Sequence, residues 1–481
     1  MQTNIYAITD SHQESRNLSK LLSGIYNFEK NNKNPFLIFD CGDLFKGIYD
    51  KELSVNAYLK LKQLLPQAEI FITLGNNDFG FNKSDFEYLK NTVKVFQKAG
   101  INVVCSNIFD SKTENLADWL SPYKILKING LKILITGFCI SNSCAKKFGI
   151  DLKPQEKIYE NLINSVDEDF DKVIVLNHHW YSYSLALKNF SQNIRPIDLI
   201  IGGHEHSRIE PDYKNNIFYP LSFARAMYKV VVDDKIEKVE EISLKDVEYI
   251  PEFENPIIKY EQETKLKEPI AKRVLDLKKN YSEACSLGTF LSDNMKKVGN
   301  TDIAFHSTGF TMYSLRLDES EFITKYDIER VICAQSTIEK ININVEQLKK
   351  VFDNTALNRM YKDRGNTRFL QCSGNISVFG KGNIQDKTYK IVQIKINGES
   401  LLDDKGEPIN PKREFSCAID PFIGSGEQGF EVLKNIPKEK ILVNGKEVPM
   451  NELFRNALIN ADKNFDGKID YPNFEYVDLN N

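Results

Sequence analysis

No stretch of the chain approaches the roughly 18 consecutive apolar residues that a membrane-spanning helix needs. The first ten residues show neither the basic nor the apolar region of a secretory signal. Charge of one sign is also missing. With 63 basic and 67 acidic residues the net charge is −4, which leaves no electrostatic footprint for a nucleic-acid polymer or an anionic membrane. The eight cysteines are scattered and include no Cys-x-x-Cys pair. They read as buried or free thiols of a reducing compartment. No internal repeat or low-complexity stretch is visible. The expectation is a cytoplasmic protein, with its oligomeric state open.

What is present suits a globular protein of more than one core. A chain of 481 residues, 41% hydrophobic and 27% charged, predicts two or three domains. Strands are expected at 4–9, 36–40, 70–74, 102–105, 131–138, 172–176 and 198–201, alternating with helical patterns at 14–31, 54–65, 85–100 and 155–166. That alternation argues for a layered α/β domain over residues 1–250. Residues 251–280 are charged and helical in pattern, and read as a linker helix. A second α/β region is expected over 281–447, with a separate tail over 448–481.

Histidine is scarce, with six in the chain, and five of them fall in three short stretches that follow apolar, strand-like runs. Asp10 and His12 follow the first strand, Asp43 the second and Asn76 the third. His178 ends a later strand, and His204 and His206 follow the next in Gly-Gly-His-Glu-His. In open α/β sheets ligands bind beyond the carboxyl ends of the strands, so five stretches deliver metal-type side chains to one edge. Carboxylates, an amide oxygen and imidazoles together suit a borderline divalent ion such as zinc, manganese or iron. Seven candidate ligands are too many for one ion. With one carboxylate shared they fit two ions roughly 3.5–4 Å apart, the arrangement used for phosphoester hydrolysis.

These residues resemble the calcineurin-like metallophosphoesterase superfamily, whose pattern is D-x-H, G-D-x, G-N-H-D/E, a later H, and G-H-x-H. The two-domain layout is similar to its 5′-nucleotidase family, including the 2′,3′-cyclic phosphodiesterases. The resemblance implies a four-layer α/β/β/α amino-terminal sandwich and a 5′-nucleotidase-type substrate-binding domain. It implies one ion held by Asp10, His12, Asp43 and His206, and a second by Asp43, Asn76, His178 and His204. Asp43 would be the bridge and a bridging water or hydroxide the nucleophile. In the second half, 285–293, 368–374 and 420–426 resemble the family's carboxy-terminal motifs. By that match Phe369 and Phe422 would sandwich a nucleobase, a contact of roughly 1–3 kcal/mol per base.

Three positions depart from the family pattern. The His–Asp dyad that assists the leaving group reads Asn77 and Gly80, and an amide cannot act as a general acid. The arginine that grips the substrate is Thr311, and the acid of G-G-D-G-F is Gln428. Asn76, Asn77 and His306 are the candidate catalytic residues, with His306 expected to supply the missing proton from the second domain. His179, beside His178, is a further candidate, better explained by packing. The expected activity is metal-dependent hydrolysis of a nucleotide or other small phosphorylated molecule. The alternatives are a cyclic-nucleotide or other phosphodiesterase, and a catalytically impaired, metal-loaded nucleotide-binding protein.

The tail resembles an EF-hand calcium loop, with Asp462, Asn464, Asp466, Lys468 and Asp470 at ligand positions and Gly467 at the turn. Asn473 stands where the bidentate glutamate belongs, so weak calcium binding is expected.

Overall fold

Strands whose side chains alternate between two apolar faces build the amino-terminal unit, Met1–Glu263, of this computed structural model. The structure describes all residues except 1, 81, 142, 234, 333–335, 361–368, 465–468 and 480–481. One sheet runs in the order Ile236–Ser243, Ala226–Val232, Thr3–Ile8, Phe36–Asp40, Ala68–Ile72, Asn102–Val103, the last four strands parallel. The other runs Ile217–Phe218, Leu199–Gly203, Lys172–His178, Leu131–Cys139, Tyr123–Ile128, with only the final pair antiparallel.

Side-chain alternation then decides the layers. Ile5, Ala7, Leu37 and Phe39 meet Ile133, Ile135, Ile174, Leu176 and Ile201 in an apolar core between the sheets. Tyr6, Ile8, Phe36 and Ile38 point the other way, onto helices Ser15–Glu29, Lys51–Leu64 and Lys83–Lys98. On the far side Leu134, Phe138, Val173 and Val175 pack against Ile158, Tyr159 and Leu187 of helices Gln155–Ser165 and Tyr181–Ser191. The result is the helix–sheet–sheet–helix sandwich that the resemblance implied.

The helix expected across 251–280 is shorter and belongs to this unit. It spans Pro251–Glu263, buries Phe253 and Ile257, and is held by Arg16, whose Nε donates to Glu261 at 2.8 Å. Pro269 cannot continue a helix. Beyond it Pro269–Lys272 pairs antiparallel with Phe322–Thr324.

The second unit, Thr264–Asn481, holds a five-stranded sheet in the order Leu370–Cys372, Ile303–Ser307, Glu414–Ile419, Glu339–Asn344, Glu439–Lys440. A four-stranded sheet runs Glu399–Ser400, Lys390–Ile396, Ile376–Lys381, Glu475–Leu479. The tail is therefore no separate unit. Its helix Met450–Asn464 sinks Met450, Leu453, Phe454 and Leu458 into the core shared with Leu287, Phe290 and Leu291, and its last strand extends the sheet. An amphipathic helix this apolar on one face needs such a partner. Among the described residues no helix is long and apolar enough to cross a membrane.

Candidate metal centre

Five loops meet beyond the carboxyl ends of the parallel strands, and many of their residues are bent backwards. Asp10, His12, Asp43, Lys46 and His204 have φ of 47°, 47°, 55°, 72° and 77°. Residues with side chains rarely hold that left-handed conformation unless the surroundings over-determine it. Here they do. Asp10 N donates to the Gly42 carbonyl and His12 N to the Asp43 carbonyl, both at 2.9 Å, locking the first two loops together. Two glycines allow the approach: a Cβ at Gly75 would collide with Asp43 Oδ1, and one at Gly203 with Thr9 Oγ1.

Two groups of ligand atoms result, each within 4.8 Å. Asp10, His12, Asp43 and His206 form one; Asp43, His178 and His204 form the other. Asp43 belongs to both. In the first, the Nε2 atoms of His12 and His206 lie 3.0 Å apart, with Asp43 Oδ2 3.5 Å from His12 and Asp10 Oδ1 3.5 Å from His206. In the second, His178 Nε2 lies 3.3 Å from Asp43 Oδ2 and 3.3 Å from Asn76 Oδ1. The structure thus brings together all seven side chains named from the sequence as metal ligands.

The donor set fits a cation. The Nδ1–H of His178 donates to the Cys41 carbonyl at 2.6 Å, which aims Nε2 at Asp43 and Asn76. Nitrogen and oxygen ligand atoms therefore converge in a buried space. The electrostatics agree. Burial alone would push the His178 pKa down, but the carboxylates of Asp43 and Asp10 hold it up at about 10. Burial would raise Asp10 and Asp43; His178 and its neighbours instead hold Asp10 at about 2 and Asp43 well below the carboxylate range. Burial keeps His12 and His204 neutral, at about 4 and 3.

Supporting residues set the ligands in place. Asp78 accepts hydrogen bonds from the backbone N–H of Gly75, Asp43 and Phe45 at 2.8, 3.0 and 3.0 Å, pinning the two loops. Burial, then Asp43, raises its pKa to about 7. His204 N donates to both oxygens of Asp10. Phe223 lies 5.3 Å from His12 and 5.0 Å from His206, and Trp180 4.2 Å from His204, centroid to centroid. Sequence reading missed the roles of Asp78, Phe223 and Trp180. The Gly-Asn-Asn-Asp turn was the signal for the first; nothing local marks the other two.

Asn77 reaches Asp43 rather than open solvent, donating from its backbone to Oδ1 at 2.7 Å and from Nδ2 to Oδ2 at 2.6 Å. His179 stacks on Tyr183 at 4.1 Å and its Nδ1 accepts from Trp180 N, a packing role. The expectation for His306 is corrected. It is fully buried, with Nδ1 2.9 Å from the Ser307 carbonyl and Nε2 3.3 Å from that of Gly288, and burial lowers its pKa. On the strand Ile303–Ser307 it shares a face with Ala304, under the helix Ser286–Gly299, and cannot reach a substrate there.

The expected aromatic pair is also divided. Phe369, 2% exposed, is a core residue, its ring 5.1 Å from Tyr476 and 6.3 Å from Phe474, because the tail folds over it. Phe422, 41% exposed, lies edge-on to Phe310 at 6.4 Å. Thr311 is buried, its hydroxyl donating to the Thr308 carbonyl, and Gln428 Oε1 accepts from Ser307 Oγ at 3.2 Å. Of the EF-hand-like loop, Asp466, Gly467 and Lys468 lie outside the described residues. Asp462 sits in the tail helix and accepts from Lys272 N at 3.0 Å.

Comparison with known proteins places this geometry. Residues 3–208 match the family model described as calcineurin-like phosphoesterase, and residues 262–435 the 5′-nucleotidase carboxy-terminal domain. The chain thus carries a calcineurin-like phosphoesterase domain followed by a 5′-nucleotidase carboxy-terminal domain. That family works with divalent metal ions, for which the Asp/His clusters are the fitting site. The chain is 23% identical, over 88% of its length, to the trifunctional nucleotide phosphoesterase protein YfkN of Bacillus subtilis (strain 168). It spans about a third, 32%, of that relative. Its fold is similar to a 5′-nucleotidase precursor from Thermus thermophilus, with TM-score 0.74, 16% identity and 99% of each chain covered. It is also similar to the Thermus thermophilus sulfate thiohydrolase SoxB, with TM-score 0.69, 13% identity, and 96% of this chain and 82% of that one covered. One fold thus carries different substrates, and the substrate must be argued from the site.

Proposed function

We propose that this protein hydrolyses phosphoesters of nucleotides or similar small molecules at a two-ion centre. The observation that carries the reading is the sharing of Asp43 between two ligand clusters. In this reading Asp10, His12, Asp43 and His206 hold one ion and Asp43, Asn76, His178 and His204 the other. Zinc, manganese and iron suit that donor set. Ions bound there would supply Lewis acidity and an activated water. The chain's own part is orientation. Cys41 turns His178, the backbone N–H of His204 holds Asp10, and Asn77 fixes both oxygens of Asp43.

Asn77 and Gly80, where the family pattern has a His–Asp dyad, bring no general acid, the loss of which costs roughly 10²–10⁴-fold. Substrates with good leaving groups should therefore be favoured. The nucleotide in the name of the Bacillus subtilis relative supports that substrate class. Among the described residues six buried free cysteines support a reducing, cytoplasmic setting.

The test is metal content of the purified protein together with hydrolysis of p-nitrophenyl phosphate, bis-p-nitrophenyl phosphate and AMP with Mn²⁺ added. Two ions per chain and turnover of the activated esters above AMP are expected. Bis-p-nitrophenyl phosphate preferred over the monoester would favour a phosphodiesterase. Asp43→Asn should release both ions and lower turnover by at least the ~10–100-fold that loss of an outer partner costs. Two ions with no turnover of any ester would make the protein a metal-loaded nucleotide binder.

A further inference from the structure

Lys46 is placed as no surface lysine needs to be. It is a half-buried residue with φ 72°, three positions after Asp43. Its neighbours hold it there: Phe45 N donates to Asp78 Oδ1 at 3.0 Å, and Gly47 N to Gln13 Oε1 at 2.5 Å. A Cβ at Gly47 would run into the His12 carbonyl, so this turn closes only on glycine. The ammonium donates to Asn77 Oδ1 at 2.9 Å, while Nδ2 of the same amide donates to Asp43 Oδ2 at 2.6 Å. One amide therefore ties a cation to the carboxylate that both clusters share. A phosphoryl group at this centre would carry two or three negative oxygens, which call for a cation beside the metal cluster.

We propose that Lys46 is the phosphate-binding cation of the centre: its ammonium, aimed by Asn77, contacts a non-bridging oxygen of the phosphoryl group. The inference rests on the phosphoesterase reading above. A lysine offers three donors and a point charge, so it can take a phosphate oxygen while keeping Asn77. It supplies charge where the dyad would have stood, and so acts on binding and on the transition state without acting as the acid.

The test compares Lys46→Gln, Lys46→Arg and Lys46→Gly with the unmodified full chain, all loaded with Mn²⁺. The readouts are metal content, binding of inorganic phosphate and orthovanadate by calorimetry, and kcat/KM on bis-p-nitrophenyl phosphate. A charge-assisted hydrogen bond predicts that Lys46→Gln loses ~10–100-fold in phosphate affinity and in kcat/KM, with two ions per chain retained. Lys46→Arg should recover most of it. Lys46→Gly relaxes the left-handed backbone, so it should melt no lower than the unmodified protein and still lose the phosphate. Phosphate affinity within ~2-fold in Lys46→Gln, or loss of Mn²⁺ in step with affinity, would overturn the assignment; the lysine would then serve only the metal cluster. If the unmodified, metal-loaded protein neither binds phosphate nor hydrolyses any ester, the phosphoesterase reading itself falls, and this one with it.

Discussion

Asp43 and His306 show how differently two polar residues can be buried. Asp43 is enclosed with histidines and an amide around its oxygens, so its charge is kept. His306 is enclosed under an apolar helix, and burial suppresses its charge against the two carbonyls beside its ring nitrogens, which favour it. The pH consequence of His306 has a definite sign. Its folded-state pKa lies below the unfolded value of about 6.5, so the unfolded chain takes up the proton first. Stability is then fully present above about pH 6.5 and is lost as the pH falls toward the folded pKa. His306→Gln, which keeps a hydrogen-bonding group without a titrating one, should flatten that acid limb. The check is the urea midpoint of the second unit between pH 5 and 8, followed in both proteins. An unchanged slope would mean that the acid sensitivity comes from other groups. The candidate metal ligands were readable as residues because scarce histidines recur with aspartate and asparagine just after successive strand-like runs. His306 was misread because its burial depends on the face it takes, and on the helix Ser286–Gly299 that covers it.

At the scale of elements, the tail carries the clearest lesson. A helix forms over Met450–Asn464, just before the loop that resembles an EF-hand. What it packs against was invisible locally. Phe454 is fully buried, its ring 6.0 Å from Phe290 at 81°, and Ala457 and Leu458 lie in the same core. Phe454→Ala should therefore cost about 3–5 kcal/mol in the second unit. Denaturant melts read by circular dichroism would show it, with Mn²⁺ content unaltered because every cluster residue lies in the first unit. A loss under about 1 kcal/mol would mean the tail is a loose appendage. The strand Glu475–Leu479 makes the same point. Its parallel pairing with Ile376–Lys381 joins segments far apart in the chain, and covers Phe369 in doing so. A resemblance in motif could suggest an exposed ring there; the fold of this tail removes it.

The whole molecule divides at Glu263, and each unit has apolar cores of its own. Asp10, His12, Asp43, Asn76, His178, His204 and His206 all belong to the first unit, as do Cys41, Asn77 and Asp78, which orient them. A fragment of residues 1–263 should accordingly fold and bind two Mn²⁺ per chain, measured by metal analysis after gel filtration. Failure of the folded fragment to hold metal would show that the second unit completes the centre. The sequence by itself determined the alternation of strands and helices, and the edge at which the Asp, Asn and His side chains of the two clusters gather, because each follows from a local pattern: period, turn residues, and what comes after a strand. Only the tertiary structure decided that Asp43 lies within reach of both clusters, that Asn77 hands Lys46 to it, and that His306 and Phe369 are core. Those outcomes depend on which segments, distant in the chain, come to lie within a hydrogen bond or a ring's width of one another.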